Sequence, residues 1–202
     1  MLEVKLLKPR EIGDGLVRKL HEVAEDGFGK KVPMEEVKHN TLETNGIFVV
    51  YDDNEPMGFT SYELRDIDGI RVGFLRGTVI RRAFQGRGLF KHLCQRLIRV
   101  FEEEGIRFVA TRTQNPRVYR ALQRLLPELY PTTRGEVPES VFELAKKIRK
   151  DVTRELIIPG LYGRQLTGEK VLAKEESVNA LFSKLNTEEG DAYLLIGLLK
   201  KR

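Results

Sequence analysis

The chain has 202 residues, 41% of them hydrophobic and 32% charged, and a formal net charge of +5 at pH 7. That length and balance suit one soluble globular domain with a core of its own. No apolar run approaches the roughly 20 residues needed to span a bilayer, and the mixed-charge start MLEVKLLKPREIGDG does not read as a secretory leader.

The only cysteine, Cys94, excludes an intramolecular disulfide framework and fits a cytoplasmic protein with a buried core thiol. His92 lies two positions away and would face elsewhere on a helix, so the pair suggests no metal site. Lys and Arg alternate with Glu along most of the chain, which argues against a dedicated nucleic-acid surface. The local exception is Arg81 to Lys91, where four basic residues stand with no acid among them.

In chain order, LEVKLL (Leu2 to Leu7) is a short strand. Leu16, Val17, Leu20, Val23 and Ala24 then recur at helical spacing behind Asp14, a candidate N-cap. Pro33 opens a second helix through MEEVKHNTLE. Strands follow at Gly46 to Asp52, Met57 to Asp66 and Ile70 to Ile80, joined by DNEP and DIDG turns as an antiparallel meander. After Gly88 a helix carries Leu89, Phe90, Leu93, Cys94, Leu97, Ile98 and Phe101 on one stripe and closes at Gly105. Ile106 to Thr113 is the next strand, so strand, helix and strand from Ile70 onward imply a parallel pair with a crossover helix. Asn115-Pro116 starts another helix through RVYRALQRLL. Beyond Pro127 the sequence reads as a loop (LYPTTRGEVP), a helix (Glu139 to Val152, with Val141, Phe142, Leu144, Ala145 and Ile148 inward), a strand-like RELIIPGLYG, a helix in EESVNALFSKL and a last apolar strand, DAYLLIGLLKK.

The chemistry concentrates where the strand ending at Ile80 gives way to the helix after Gly88. A helix start leaves amide N–H groups unpaired, its dipole favours an anion, and glycines let a ligand approach the backbone. Arg87 and Lys91 add positive charge, so a pyrophosphate is the natural guest. Taken alone, QGRG could equally be a plain tight turn. It lacks the Lys-Ser/Thr of a Walker loop and the third glycine of a dinucleotide fingerprint, since position 91 is lysine.

Gln85-Gly86-Arg87-Gly88-Leu89-Phe90 resembles the Gln/Arg-x-x-Gly-x-Gly/Ala signature of the GNAT superfamily of acyl-CoA-dependent N-acyltransferases. The likeness in element order runs from about Leu2 to Leu125. It implies an α/β (α+β) fold with a mixed, mostly antiparallel central sheet flanked by helices, and a parallel strand pair splayed around the cofactor. It implies one domain over 1–202, with the cofactor-binding core in 1–125 and 126–202 completing the sheet. By the same resemblance, the backbone of Thr78, Val79 and Ile80 pairs with the pantetheine arm. The turn amides from Gln85, Gly86, Arg87, Gly88, Leu89 and Phe90 to Lys91 hold the pyrophosphate, and Asn115 contacts the cofactor. The implied reaction is transfer of an acetyl group from acetyl-CoA to a primary amine, small molecule or protein, by direct attack through a tetrahedral intermediate.

Two positions depart from the pattern. Phe90 replaces the last small residue of the signature, and Leu122 stands where many members carry a tyrosine that protonates the leaving thiolate. Tyr119, one helical turn earlier, is the substitute acid or else a packing residue. A module that binds acyl-CoA without turnover, as a sensor or interaction domain, is therefore the alternative reading. Glu63 reads as a solvated strand residue, Asp66 and Asp68 as turn formers, and His21 and His39 as surface histidines on helices that border the acceptor site in the family. Arg76 either orients an acidic substrate or faces solvent. The helix from Glu139 either covers an acceptor cleft or forms a homodimer surface.

Overall fold

The computed structural model describes residues 2–200. Its packing divides the chain into two compact units, Met1–Leu64 with Phe74–Val100, and Arg65–Gly73 with Phe101–Arg202. The class is the mixed α/β one expected, with helices around mostly antiparallel strands.

In the first unit, β1 (Leu2–Leu7), β2 (Gly46–Asp52), β3 (Glu55–Ile67, to Leu64 in this unit) and β4 (Ile70–Ile80, from Phe74) follow one another in strand order. Val4 lies opposite Val50 and Phe48 opposite Thr60 in antiparallel registers. Two helices, α1 (Asp14–Phe28) and α2 (Met34–Leu42), supply the apolar partners for this sheet. Val17, Leu20, Val23 and Ala24 of α1, with Val37 of α2, are buried against Ile47 and Val49 of β2, Phe59 of β3 and Val79 of β4. The helical spacing on one side meets the period of two on the other, which is why both patterns are visible in the sequence. Asp14 is the first helical residue and Gly13 holds the N-cap position, so the expected Asp14 cap moves by one. The turn before β3 is tighter than DNEP. Asp53 and Asn54 take left-handed backbone (φ 46° and 68°), and strand resumes at Glu55.

The second unit contains the tip of the β3–β4 hairpin, the end of α3 (Leu89–Glu103), β5 (Phe108–Thr113), α4 (Pro116–Gln123), β6 (Glu128–Tyr130), α5 (Glu139–Ile148), β7 (Ile157–Ile158), α6 (Glu176–Phe182) and β8 (Ala192–Leu198). β5 follows β4 in the strand order, and the two are the one parallel pair among the described strands. β8 is central, with β5 along one edge (Ala110 opposite Ile196). β6 and β7 share the other, with Leu129 opposite Gly197 and Ile157 opposite Tyr193. β6 corrects the expectation of a plain loop after Pro127. Three residues between two prolines carry no periodicity, and β8 recruits them because its buried backbone groups need partners. β7 likewise reduces the strand-like RELIIPGLYG to two residues.

The loops of this unit are gathered by one side chain. Gln114 donates from Nε2 to the carbonyls of Asp191 (2.9 Å), Arg164 (3.2 Å) and Thr187 (3.5 Å), and its Oε1 accepts from Leu166 N–H (2.8 Å). Gln114→Ala would strip four loop groups of that partner. At about 1 kcal/mol for each well-formed bond, a loss of roughly 2–3 kcal/mol is expected in denaturant unfolding.

Candidate functional site

β4 ends at Ile80, and the chain reaches α3 through a short 3-10 turn at Arg82–Phe84 and the segment 85–88. That segment is tied back onto α1 and β4 by specific bonds. Gln85 Nε2 donates to the carbonyls of Ile80 (2.8 Å) and Gly27 (3.0 Å), and Arg82 N–H donates to Asp26 Oδ2 (2.8 Å). Arg81 N–H donates to Met57 O at 2.8 Å. Gly27 permits the approach, since a Cβ there would lie 2.7 Å from the Ile80 carbonyl oxygen. Gln85 is thereby a builder of the turn, its own N–H closing onto Arg82 O at 3.1 Å.

Gly86 and Gly88 both take left-handed backbone, with φ of 75° and 83°. A Cβ at either would have no protein atom within 4 Å, so conformation rather than crowding by the protein requires glycine. The helix that follows makes its first hydrogen bond from His92 N–H to Gly88 O (3.1 Å). The amides of Leu89, Phe90 and Lys91 therefore lie ahead of the ladder. Arg87 is exposed with its guanidinium 5.2 Å from the centre of the Phe84 ring, and Lys91 is exposed on the first turn of the helix. Free helix-start donors beside two cations form an anion site in chemical terms. On β4, Val79 and Ile80 are buried, while the Thr78 hydroxyl is 2.6 Å from that of Thr60.

The same unit joins four side chains that the sequence offered only one by one. Arg76, 6% exposed, donates from one terminal nitrogen to Glu63 Oε2 (2.7 Å) and from the other to His39 Nε2 (2.5 Å). Because arginine only donates, His39 Nε2 must accept, and its Nδ1–H donates to Glu43 Oε2 at 2.6 Å. Arg76 therefore does not face solvent, while His39 is the surface histidine expected, 54% exposed and bonded through both ring nitrogens. The separations of 37 and 13 residues along the chain gave no signal for this link. His21 bonds through Nε2 to the Val32 carbonyl (2.7 Å), which is a loop-holding role.

Asn115 and Tyr119 belong to the second unit. Asn115 caps α4, its side-chain oxygen accepting from Arg117 N–H at 2.9 Å, with Pro116 at the first helical position. Tyr119 is fully buried, donates its hydroxyl to Pro131 O (2.9 Å) and meets Phe182 edge-on at 5.8 Å. Desolvation pushes its phenol up to about 12, with Arg120 pulling weakly the other way. Leu122 is buried one turn further on.

Cys94 is fully buried in α3, and burial pushes its thiol up. A thiol reagent is expected to label it only after denaturation, which titration with and without guanidinium checks. Among the described residues, no group of three or more His, Cys, Asp or Glu is placed to hold a metal ion, and no helix is long and apolar enough to cross a membrane.

No curated protein matches the chain in sequence. Solved structures do match in fold. The ribosomal-protein-S18-alanine N-acetyltransferase from Escherichia coli has a TM-score of 0.62 at 11% identity, covering 100% of this chain and 96% of that one. Naa50 from Arabidopsis thaliana, in complex with the bisubstrate analogue CoA-Ac-MVNAL, has a TM-score of 0.57 at 11% identity, covering 98% and 99%. The NatC complex bound to Gag peptide and CoA gives 0.54 at 13% identity, covering 98% and 99%. The sequence profile of the acetyltransferase (GNAT) family matches residues 16–126, more than half of the chain. With that profile laid over the meander, the glycine turn and the helix that follows it, the chain belongs to the acetyltransferase (GNAT) family.

Proposed function

We propose that this chain is an N-acyltransferase that moves an acetyl group from acetyl-CoA to a primary amine by direct attack on the thioester. The observation that carries the reading is the turn at residues 86–91. Two left-handed glycines and the first amides of α3, flanked by Arg87 and Lys91, make a cradle suited to a pyrophosphate. In support of that reading, a Cβ at Gly86 or Gly88 would have no protein atom within 4 Å, which leaves room for a phosphate beside the turn. Thr78 to Ile80 would align the pantetheine arm, and a backbone amide near Ile80 would polarise the acyl carbonyl. The CoA or CoA conjugate in the NatC and Naa50 structures agrees with that donor.

The donor supplies an activated thioester whose thiol, with an ordinary pKa of about 8.5, leaves without obligatory protonation. A reaction lacking a general acid is slower by about 10²–10⁴. Leu122 and the buried hydroxyl of Tyr119 favour a second reading, binding of acyl-CoA without turnover. Incubation with acetyl-CoA and a panel of primary amines, read as release of free thiol, tests the first. Calorimetric binding of acetyl-CoA with no release on any amine selects the second, and no binding at all removes both.

A further inference from the structure

β1 is the first strand in the sheet order, so one of its edges has no neighbour within the described chain. Leu2 and Leu6 on it are 46% and 43% exposed, two of the three large hydrophobic residues so exposed among those described. They share a face with Val4, while Glu3 and Lys5 stand on the other, 3.2 Å apart in an ion pair. The order Leu-Glu-Val-Lys-Leu is an apolar palindrome about Val4 with opposite charges at its two inner positions. An exposed strand edge with an apolar face is a template for pairing, and charges on it decide which pairing is allowed.

We propose that β1 is a contact surface for a second copy of this chain, the two strands pairing antiparallel about Val4. A two-fold pairing that keeps the outward backbone groups of both strands in register is centred on a residue, and one that pairs five residues of Leu2–Leu7 is centred on Val4 or Lys5. Centring on Lys5 sets that lysine against its own copy. Centring on Val4 sets each Glu3 against a Lys5 and each Leu2 against a Leu6. The charges that would guard the edge against other partners thus select this one. An edge of six residues buries little surface, so the dimer is weak and depends on protein concentration.

Sedimentation at rising concentration should show a monomer–dimer equilibrium. Glu3→Lys or Lys5→Glu turns two attractive cross-strand pairs into repulsive ones, which should raise the dissociation constant about tenfold or more. The double exchange, Glu3→Lys with Lys5→Glu, should restore it. Both side chains are about half exposed, so unchanged melting is expected and checks the fold. Val4→Cys should give an oxidised, disulfide-linked dimer, since residues opposite across the axis lie within disulfide reach and Cys94 is buried. A monomer at every concentration, a dimer indifferent to the single reversals, or failure of the double exchange to rescue would each overturn the proposal.

Discussion

Valine in place of both Gly86 and Gly88 is expected to lower affinity for acetyl-CoA at least about a hundredfold while leaving the protein folded. Their φ values of 75° and 83° lie where a β-branched residue is a genuine outlier. Left-handed backbone costs a residue with a Cβ about 1–2 kcal/mol. The turn must then carry that strain or relax to negative φ, and relaxation swings the amides of residues 86–91 away from a common point. A hundredfold loss corresponds to about 2.7 kcal/mol, within reach of two such positions. The core should be spared, because a Cβ at either site meets no protein atom within 4 Å. Calorimetric titration of acetyl-CoA, with a thermal melt as control, makes the measurement. Unchanged affinity would remove the turn from the site and the proposed donor with it.

Tyr119→Ala is expected to cost about 4 kcal/mol of stability, whereas Tyr119→Phe should leave turnover within a few-fold of the unchanged protein. The first figure follows from emptying a fully buried ring site that packs on Phe182. Phenylalanine keeps the ring and loses only the bond to Pro131 O, about 1–2 kcal/mol. Were the hydroxyl the acid for the leaving thiolate, its removal would slow turnover by about 10²–10⁴. The alkaline limb gives an independent check. Because burial raises this phenol in the fold to about 12, the stability tied to it is complete below the unfolded value near 10. It is lost as pH rises through about 12, and Tyr119→Phe should flatten that part of the curve.

The strands at Leu2–Leu7, Gly46–Asp52 and Ile70–Ile80, the helix opened by Pro33 and the glycine turn before α3 were all legible in the sequence alone. Each is written in residues close together along the chain: alternation, helical spacing, a proline that presets φ, glycines that permit positive φ. Family membership was legible for the same reason, because the signature from Gln85 to Phe90 is contiguous. Tertiary structure alone decided what those local signals could not contain. β6 exists because β8 has an edge to satisfy, and Gln114 gathers carbonyls 50 to 77 residues away. Arg76 turns inward because Glu63 and His39 converge on it from another strand and from a helix. Tyr119 gives its hydroxyl to a carbonyl twelve residues on. A buried polar group needs a partner, but which distant residue supplies it depends on how the chain folds back, and no local pattern records that.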